Sequence, residues 1–316
     1  MKIVAHDKTS VTVGGFGSLD IVGWHGETMI ATDPVLGPTA ALDLGRKPSI
    51  RLLAREFMRT CATARDGRVV AVLGLQKKAR YVRVFSKSLA TNDAIDLQPT
   101  KNVEFACAGF IADRVIALPG DLGVHRRYHE RRHAQQPHLQ DGKRLVPLDG
   151  GTGGDAHDLT GVIASGERDF IVWGGRVFAL RDGALVRAVP FDLARNFNNF
   201  GLSCVAADSG FFTISSQRLV HVIPGARAAK PHLPRSYFRI VRPGPAGKLL
   251  LEAAHDTAEK SALWLYDPSR RVATPIPTPI GTYAYTAFYC RARKAIGALA
   301  STNDGTVGRR FIFAAI

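Results

Sequence analysis

Cys61-Ala62-Thr63-Ala64-Arg65-Asp66-Gly67-Arg68-Val69-Val70-Ala71-Val72 returns 46 residues later as Cys107-Ala108-Gly109-Phe110-Ile111-Ala112-Asp113-Arg114-Val115-Ile116-Ala117-Leu118, with the turn moved by one residue. Cys204 leads in the same way through Asp208-Ser209-Gly210 into Phe211-Phe212-Thr213-Ile214. Cys290 leads through Arg291-Ala292-Arg293-Lys294 into Ala295-Ile296-Gly297-Ala298-Leu299. The cysteines are 46, 97 and 86 residues apart, close to one, two and two copies of one unit. Cys61 to Cys290 is 229 residues, five units of about 46, a period that signals repeated supersecondary units. An aromatic residue precedes each cysteine: Phe57, Phe105, Phe200 and Tyr289. Two further copies, Leu159 to Val172 and Tyr237 to Leu251, keep the shape with Val162 and Val241 near the cysteine position. A degenerate first copy runs from Val11 to Ile30.

Each copy reads as four short strands. The apolar runs are rich in Val, Ile, Phe and Leu and stop at Asp-Gly, Pro-Gly or Asp-Pro. Arg176 to Leu180 turns at Arg181-Asp182-Gly183 and returns through Ala184 to Val189. Ala262 to Tyr266 turns at Asp267-Pro268-Ser269 and returns through Arg271 to Thr274. Asp-Gly suits a two-residue hairpin because both positions tolerate the positive φ of a type I′ turn. Only Ile50 to Met58 and the segment His125 to Gln136 could be drawn as amphipathic helices.

Antiparallel four-stranded units at this period resemble the blades of a β-propeller, and the resemblance spans nearly the whole chain. It concerns architecture alone. Residues 172–174 hold no Trp-Asp pair, no kelch double glycine repeats in register, and Ser301 to Thr306 matches an Asp-box turn once, without its terminal Trp. The resemblance implies one all-β domain over residues 1–316, with about seven four-stranded antiparallel blades. Their expected starts lie near residues 14, 57, 104, 159, 200, 237 and 283. The last copy is one strand short and Met1 to His6 is a spare strand. Pairing that N-terminal strand with the last blade is expected to close the ring and remove two exposed edges.

With 46% hydrophobic residues in 316, the chain can bury a large core. No apolar run reaches the roughly 18 residues needed to cross a bilayer. The first residues carry one lysine and no apolar stretch of signal-peptide length, so the expected location is cytoplasmic. Cysteines at equivalent places in different blades would be too far apart to bridge, since disulfides need Cα separations below about 7 Å. They are expected to act as small buried hydrophobes, and no Cys-x-x-Cys pair points to a metal or redox cluster. A formal charge of +15, from 42 basic and 27 acidic residues, favours polyanions through phosphate contact and counterion release. Most of the positive residues are scattered, as on an ordinary solvated surface.

One segment stands out. His125, Arg126, Arg127, His129, Arg131, Arg132 and His133 are followed by His138, Lys143 and Arg144, inside an expected insertion over about residues 122–158. As a helix, His125, His129 and His133 would form one stripe able to hold a transition metal, but the arginines around them repel a cation. Guanidinium forks fit phosphate or carboxylate better, and only Tyr128 could stack on a base. The third reading of this charge run is a solvated loop, and it carries the most weight.

Asp149 to Asp158 is glycine-rich, but it lacks the Lys-Ser/Thr of a phosphate loop. Asp155, His157 and Asp158 could ligate a metal, although a turn between blades explains the run more simply. His255-Asp256 means little alone. No Gly-x-Ser-x-Gly or His-Glu-x-x-His occurs. These features lead to an expected non-catalytic scaffold that binds another protein, with no cofactor and no membrane span. The expected partner is acidic, and His125, Arg126, Arg127, His129, Arg131, Arg132, His133, Lys143 and Arg144 are the residues expected to contact it. The alternatives are a metal-dependent hydrolase or lyase with its site in a central channel, and a binder of nucleic acid or another polyanion.

Overall fold

The computed structural model describes residues 2–5, 10–35, 37–45, 47–74, 81–99, 103, 105–119, 136–154, 159–165, 168–194, 202–228, 230–233, 238–253, 263–276, 284–300 and 309–315. Among the described residues there is no α-helix, and Ile50 to Met58 belongs to two strands. β1 (Lys2–Ala5) and β2 (Ser10–Gly14) open the chain. β3 (Asp20–His25), β4 (Thr28–Thr32), β5 (Thr39–Asp43) and β6 (Ser49–Ala54) form an antiparallel sheet in chain order.

β7 (Phe57–Thr63), β8 (Val69–Gly74), β9 (Tyr81–Phe85) and β10 (Ile95–Pro99) repeat that pattern. So do β11 (Phe105–Ile111), β12 (Arg114–Pro119), β13 (His138–Asp141) and β14 (Arg144–Pro147). These eight strands share one sheet, because β10 pairs with β14 in parallel at Gln98–Arg144 and Pro99–Leu145.

The next sheet holds β15 (Gly161–Ser165), β16 (Arg168–Trp173), β17 (Arg176–Arg181) and β18 (Ala184–Asp192). β19 (Cys204–Ala207), β20 (Gly210–Ser215), β21 (Arg218–Val222) and β22 (Lys230–Pro231) form another. β23 (Phe238–Pro243), β24 (Leu249–Ala253), β25 (Leu263–Asp267) and β26 (Val272–Ile276) form the last with four strands. β27 (Ala284–Cys290), β28 (Ala295–Ala300) and β29 (Arg309–Ala315) share a five-stranded sheet with β2 and β1.

The expected count of equal four-stranded blades therefore needs correction. Among the described residues, five sheets have the size of one blade and the sixth has eight strands. The parallel pairing of the outermost strands β10 and β14 causes the difference. The strand that meets the C-terminal one is also not Met1 to His6. Ser10 to Gly14 pairs with β29 through Ser10–Ile312 to Val13–Arg309, and β1 pairs outside it.

The first strand of each unit lies at a sheet edge, and β3, β7, β11, β15, β19, β23 and β27 each touch the next in sequence. Inner strands in series around an axis, with later strands stepping outward, make a β-propeller. Successive sheets pack face to face through their own apolar clusters. Ile30, Ala41 and Leu53 meet Val69, Ala71 and Phe85; Phe170 and Val172 meet Phe211 and Val220. Because both faces of a sheet are covered, β8, β11 and β24 are buried along their whole length. That double burial produces the unbroken apolar runs of the sequence.

Outermost strands face water along one edge, where bare N–H groups invite another chain to pair. Pro190 and Pro275 sit on the outermost strands β18 and β26, and a proline has no N–H to offer there. The turn chemistry follows the sequence as well. Asp182 and Gly183 have φ of 49° and 79°, the two positive values of a type I′ turn.

Candidate functional site

Strand alternation sorts the connections onto two faces. Within a unit, the links from first to second and from third to fourth strand leave by one face. The links from second to third strand, and from fourth strand to the next unit, leave by the other. The first face has the shorter links, among them the tight turns 112–113, 142–143, 182–183 and 208–209, with 86–94 its longest. The second face takes the long links 120–137, 148–160 and 193–203. Binding groups concentrate in long connections held on a rigid scaffold, so the second face is the one to search.

The glycine run belongs to the link 148–160 and lies along β16, β17 and β18, from Leu185 to Gly174. Gly154 donates to the Trp173 carbonyl at 3.3 Å, Leu185 donates to the Asp149 carbonyl at 3.2 Å, and Arg176 bonds the Thr152 carbonyl and hydroxyl at 2.9 and 2.8 Å. A methyl group on Gly153 would stand 2.8 Å from the Trp173 indole. These glycines serve close packing over β16 and β17 rather than a phosphate cradle. Asp155, His157 and Asp158 lie outside the described residues, as do His255-Asp256 and Ser301 to Thr306.

The inner strands are packed tightly. A methyl group on Gly23 would strike the Cys61 sulfur, and one on Gly109 would strike Val162. Cys61, Cys107, Cys204 and Cys290 all lie on inner strands and all are free thiols. Burial pushes Cys61 up to about 12, Cys107 up to about 11 and Cys204 up to about 12, and a charge on Cys107 would raise both of the others. As protonated thiols they are poor nucleophiles and poor metal ligands. Among the described residues no three His, Cys, Asp or Glu side chains come together to hold a metal.

One ionic group breaks the apolar interior. Arg239 on β23 and Glu252 on β24 are 5% and 2% exposed and form an ion pair. Arg242, two strand positions on from Ile240, brings a second guanidinium to 3.8 Å from the same carboxylate. It also donates to the Ala287 carbonyl on β27 at 2.6 Å, which ties two sheets together. Desolvation holds Arg242 below the ordinary arginine range, with Glu252 opposing that effect and Arg239 adding to it. Removing such ions from water costs several kcal/mol each, roughly, so a buried cluster of this kind is weak as glue and points to a site.

A second polar group lies between β21 and β25. The His221 ring stacks on Phe212 with centroids 4.4 Å apart, His232 stands 5.9 Å from His221, and His232 Nδ1 bonds the Tyr266 hydroxyl. Burial lowers the pKa of both histidines, and Arg271 and His221 lower His232 further. The folded values lie below the unfolded one, so the contribution to stability is complete above about pH 6.5 and is lost as pH falls through the folded values. The melting temperature is expected to fall as pH drops below about 6.5, the value of an unfolded histidine. His221→Phe, which keeps the stacking, should flatten that fall in calorimetry. An unchanged slope would remove His221 from the account. Asp66 and Asp267, held low by the Arg68 amide and the Ser269 hydroxyl, act in a separate, more acidic window.

The structure separates the sequence-selected basic residues. Lys143 and Arg144 are exposed in and beside the β13–β14 turn, on the tight-turn face. Residues 120–135, which hold His125, Arg126, Arg127, His129, Arg131, Arg132 and His133, lie outside the described residues and join β12 to β13 at the opposite ends of those strands. His138 is buried on β13, where Nδ1 meets the Gln136 carbonyl at 2.8 Å. Arg239, Arg242 and Glu252 were missed. Their one signal is a glutamate closing the apolar run Leu249-Leu250-Leu251-Glu252.

No family model matches this sequence, and no curated protein does. Solved structures match by fold. The chain is similar to the Cps50 (Swd1) β-propeller domain of Myceliophteria thermophila over 96% of its length and 98% of that chain, with TM-score 0.56 and 10% identity. It is similar to the dihydro-heme d1 dehydrogenase NirN, in complex with DHE, over 99% of its length and 72% of that chain, with TM-score 0.56 and 12% identity. It also resembles the extracellular domain of a one-component system of B. thetaiotaomicron, with TM-score 0.57 and 7% identity, but covers only 40% of that chain. At these identities the likeness establishes a β-propeller and does not choose between enzyme and binding module.

Proposed function

We propose that the protein is a rigid propeller platform that binds an acidic protein partner over the face of its long connections. The observation carrying this reading is the asymmetry of the two faces: the links 120–137, 148–160 and 193–203 belong to one, whereas the links of the other run from two residues, as at 112–113, to nine, at 86–94. The basic segment 122–135 issues from the first, and the net charge of +15 favours an anionic partner. The same reading takes the eight-stranded sheet as two blades, which makes seven. Inner strands β7 and β11 each begin a four-stranded unit, and Val70, Val72 and Val84 pack against Phe105, Phe110 and Val115 as two separate blades would. It also takes β2 as the strand that closes the ring.

The test uses a labelled hexaglutamate peptide and fluorescence anisotropy. Alanine at Arg126, Arg127, Arg131 and Arg132 together should abolish binding. Alanine at Lys47 and Lys87, both exposed on the tight-turn face, should leave it intact. Equal effects from the two sets would defeat the assignment of the face. Tighter binding of duplex DNA, with steep loss in salt, would favour a nucleic-acid binder instead.

A further inference from the structure

We infer that the outer edge of β6 takes up an extended peptide of alternating acidic and apolar residues as one more strand of the β3–β6 sheet. This goes beyond the platform reading, because the edge lies on the rim of the ring and not on the face of the long connections. Most outermost strands are closed to such pairing. β10 and β14 pair with each other, and β18, β22 and β26 each contain a proline. β6 contains none and pairs with β5 alone. β1 approaches β6 but pairs only with β2. On an edge strand alternate residues turn N–H and C=O groups away from the sheet, where a further strand can bind them. The side chains leave room for one, since Arg51 and Arg55 are exposed and Leu52 is 42% exposed.

The side chains of β6 select the occupant. Arg51 lies opposite Ala41, which packs toward β7–β9. Ile50 and Leu52 lie opposite Leu42 and Ala40, which pack toward β27–β29. Directly opposed residues share a face, so the edge is cationic on one side and apolar on the other. Arg55 borders a groove of about 280 Å³ that runs from Leu53 to Arg83 and Thr91. Glu56 borders it too, while Arg83 is answered by Asp96 at 2.6 Å. No ion pair of Arg51 or Arg55 occurs among the described residues. A strand that alternates acidic and apolar residues fits both sides: acids beside Arg51 and Arg55, apolar side chains beside Ile50 and Leu52. A second copy of β6 fits poorly, because it would bring cations together on chains that each carry +15.

The test titrates the full chain with a labelled octapeptide alternating Glu and Val. Arg51→Glu combined with Arg55→Glu should weaken binding by about tenfold or more. The amides of residues 49–54 in the wild type should gain protection from hydrogen exchange on adding the peptide, a readout that does not depend on a variant folding. Methylating the peptide's backbone nitrogens at alternate residues should abolish binding for one set and spare it for the other, because a strand pairs through every second N–H. Equal tolerance of both sets would overturn strand addition, and so would unprotected amides at 49–54 in the saturated complex. Alanine at the four arginines 126, 127, 131 and 132 should leave the octapeptide bound; its loss there would move the peptide to the long-connection face and overturn the rim site. A dimer whose 49–54 amides are protected without peptide would give the edge to a second copy and overturn the acidic occupant.

Discussion

Deleting residues 1–14 is expected to abolish the cooperative thermal transition, whereas deleting residues 1–9 should only lower its midpoint. The two truncations differ by β2. Val11 and Val13 on that strand are fully buried and join Phe16, Met29, Leu42, Phe288 and Phe311 in the cluster between the last sheet and the first. Burying a valine side chain contributes about 1.5–3 kcal/mol, so these two alone approach the roughly 5–15 kcal/mol by which a domain is stable. The loss would also strip β29 of its ladder from Ser10–Ile312 to Val13–Arg309 and uncover Phe288 and Phe311. β1 by contrast is the outermost strand of its sheet, paired only to β2. Its removal leaves β2 as an exposed edge and the cluster intact. Circular dichroism melts of both truncations check this. If the 1–14 truncation melts cooperatively near the full chain, the N-terminal strand does not close the ring.

The inner hairpins were legible because they are buried on both faces. A strand such as Phe105 to Ile111 has no water-facing side to vary, so its copies stay alike enough to be seen by eye. Outer strands lack that constraint. His138 to Asp141 reads as His-Leu-Gln-Asp, too short and polar to announce a strand. Missing it merges Lys143 and Arg144 with the segment 125–133, although β13 carries them to the other face. The parallel contact of β10 with β14 rests on only two residue pairs, set by how two sheets lean together and not by any local pattern. Arg239, Arg242 and Glu252 escaped for a related reason. Each sits within an apolar run on a strand that the sequence marks as core, and only the fold brings the three charges together.

Gly174→Ala is expected to cost more than about 4 kcal/mol, while Gly183→Ala should cost about 1–2 kcal/mol. Both glycines occupy β-turns of the same sheet with positive φ, 58° and 79°. The left-handed backbone strain of an added methyl is therefore similar in the two. What differs is the space around them. Nothing lies within 4 Å of a methyl on Gly183, which projects from the β17–β18 turn. A methyl on Gly174 would collide with the Gly154 carbonyl oxygen and stand 2.7 Å from the Gly154 nitrogen. Those atoms are backbone, fixed by the Gly154 bond to Trp173, and cannot swing aside as a flexible side chain would. The strap 149–154 must lift, and the Gly174 amide would lose its 3.2 Å bond to the Thr160 hydroxyl. Equilibrium denaturant unfolding of the two variants separates strain from collision, because the difference between them reports the collision alone. If the two lose stability equally, the glycine run is not packed against β16 and its role must be sought in ligand contact.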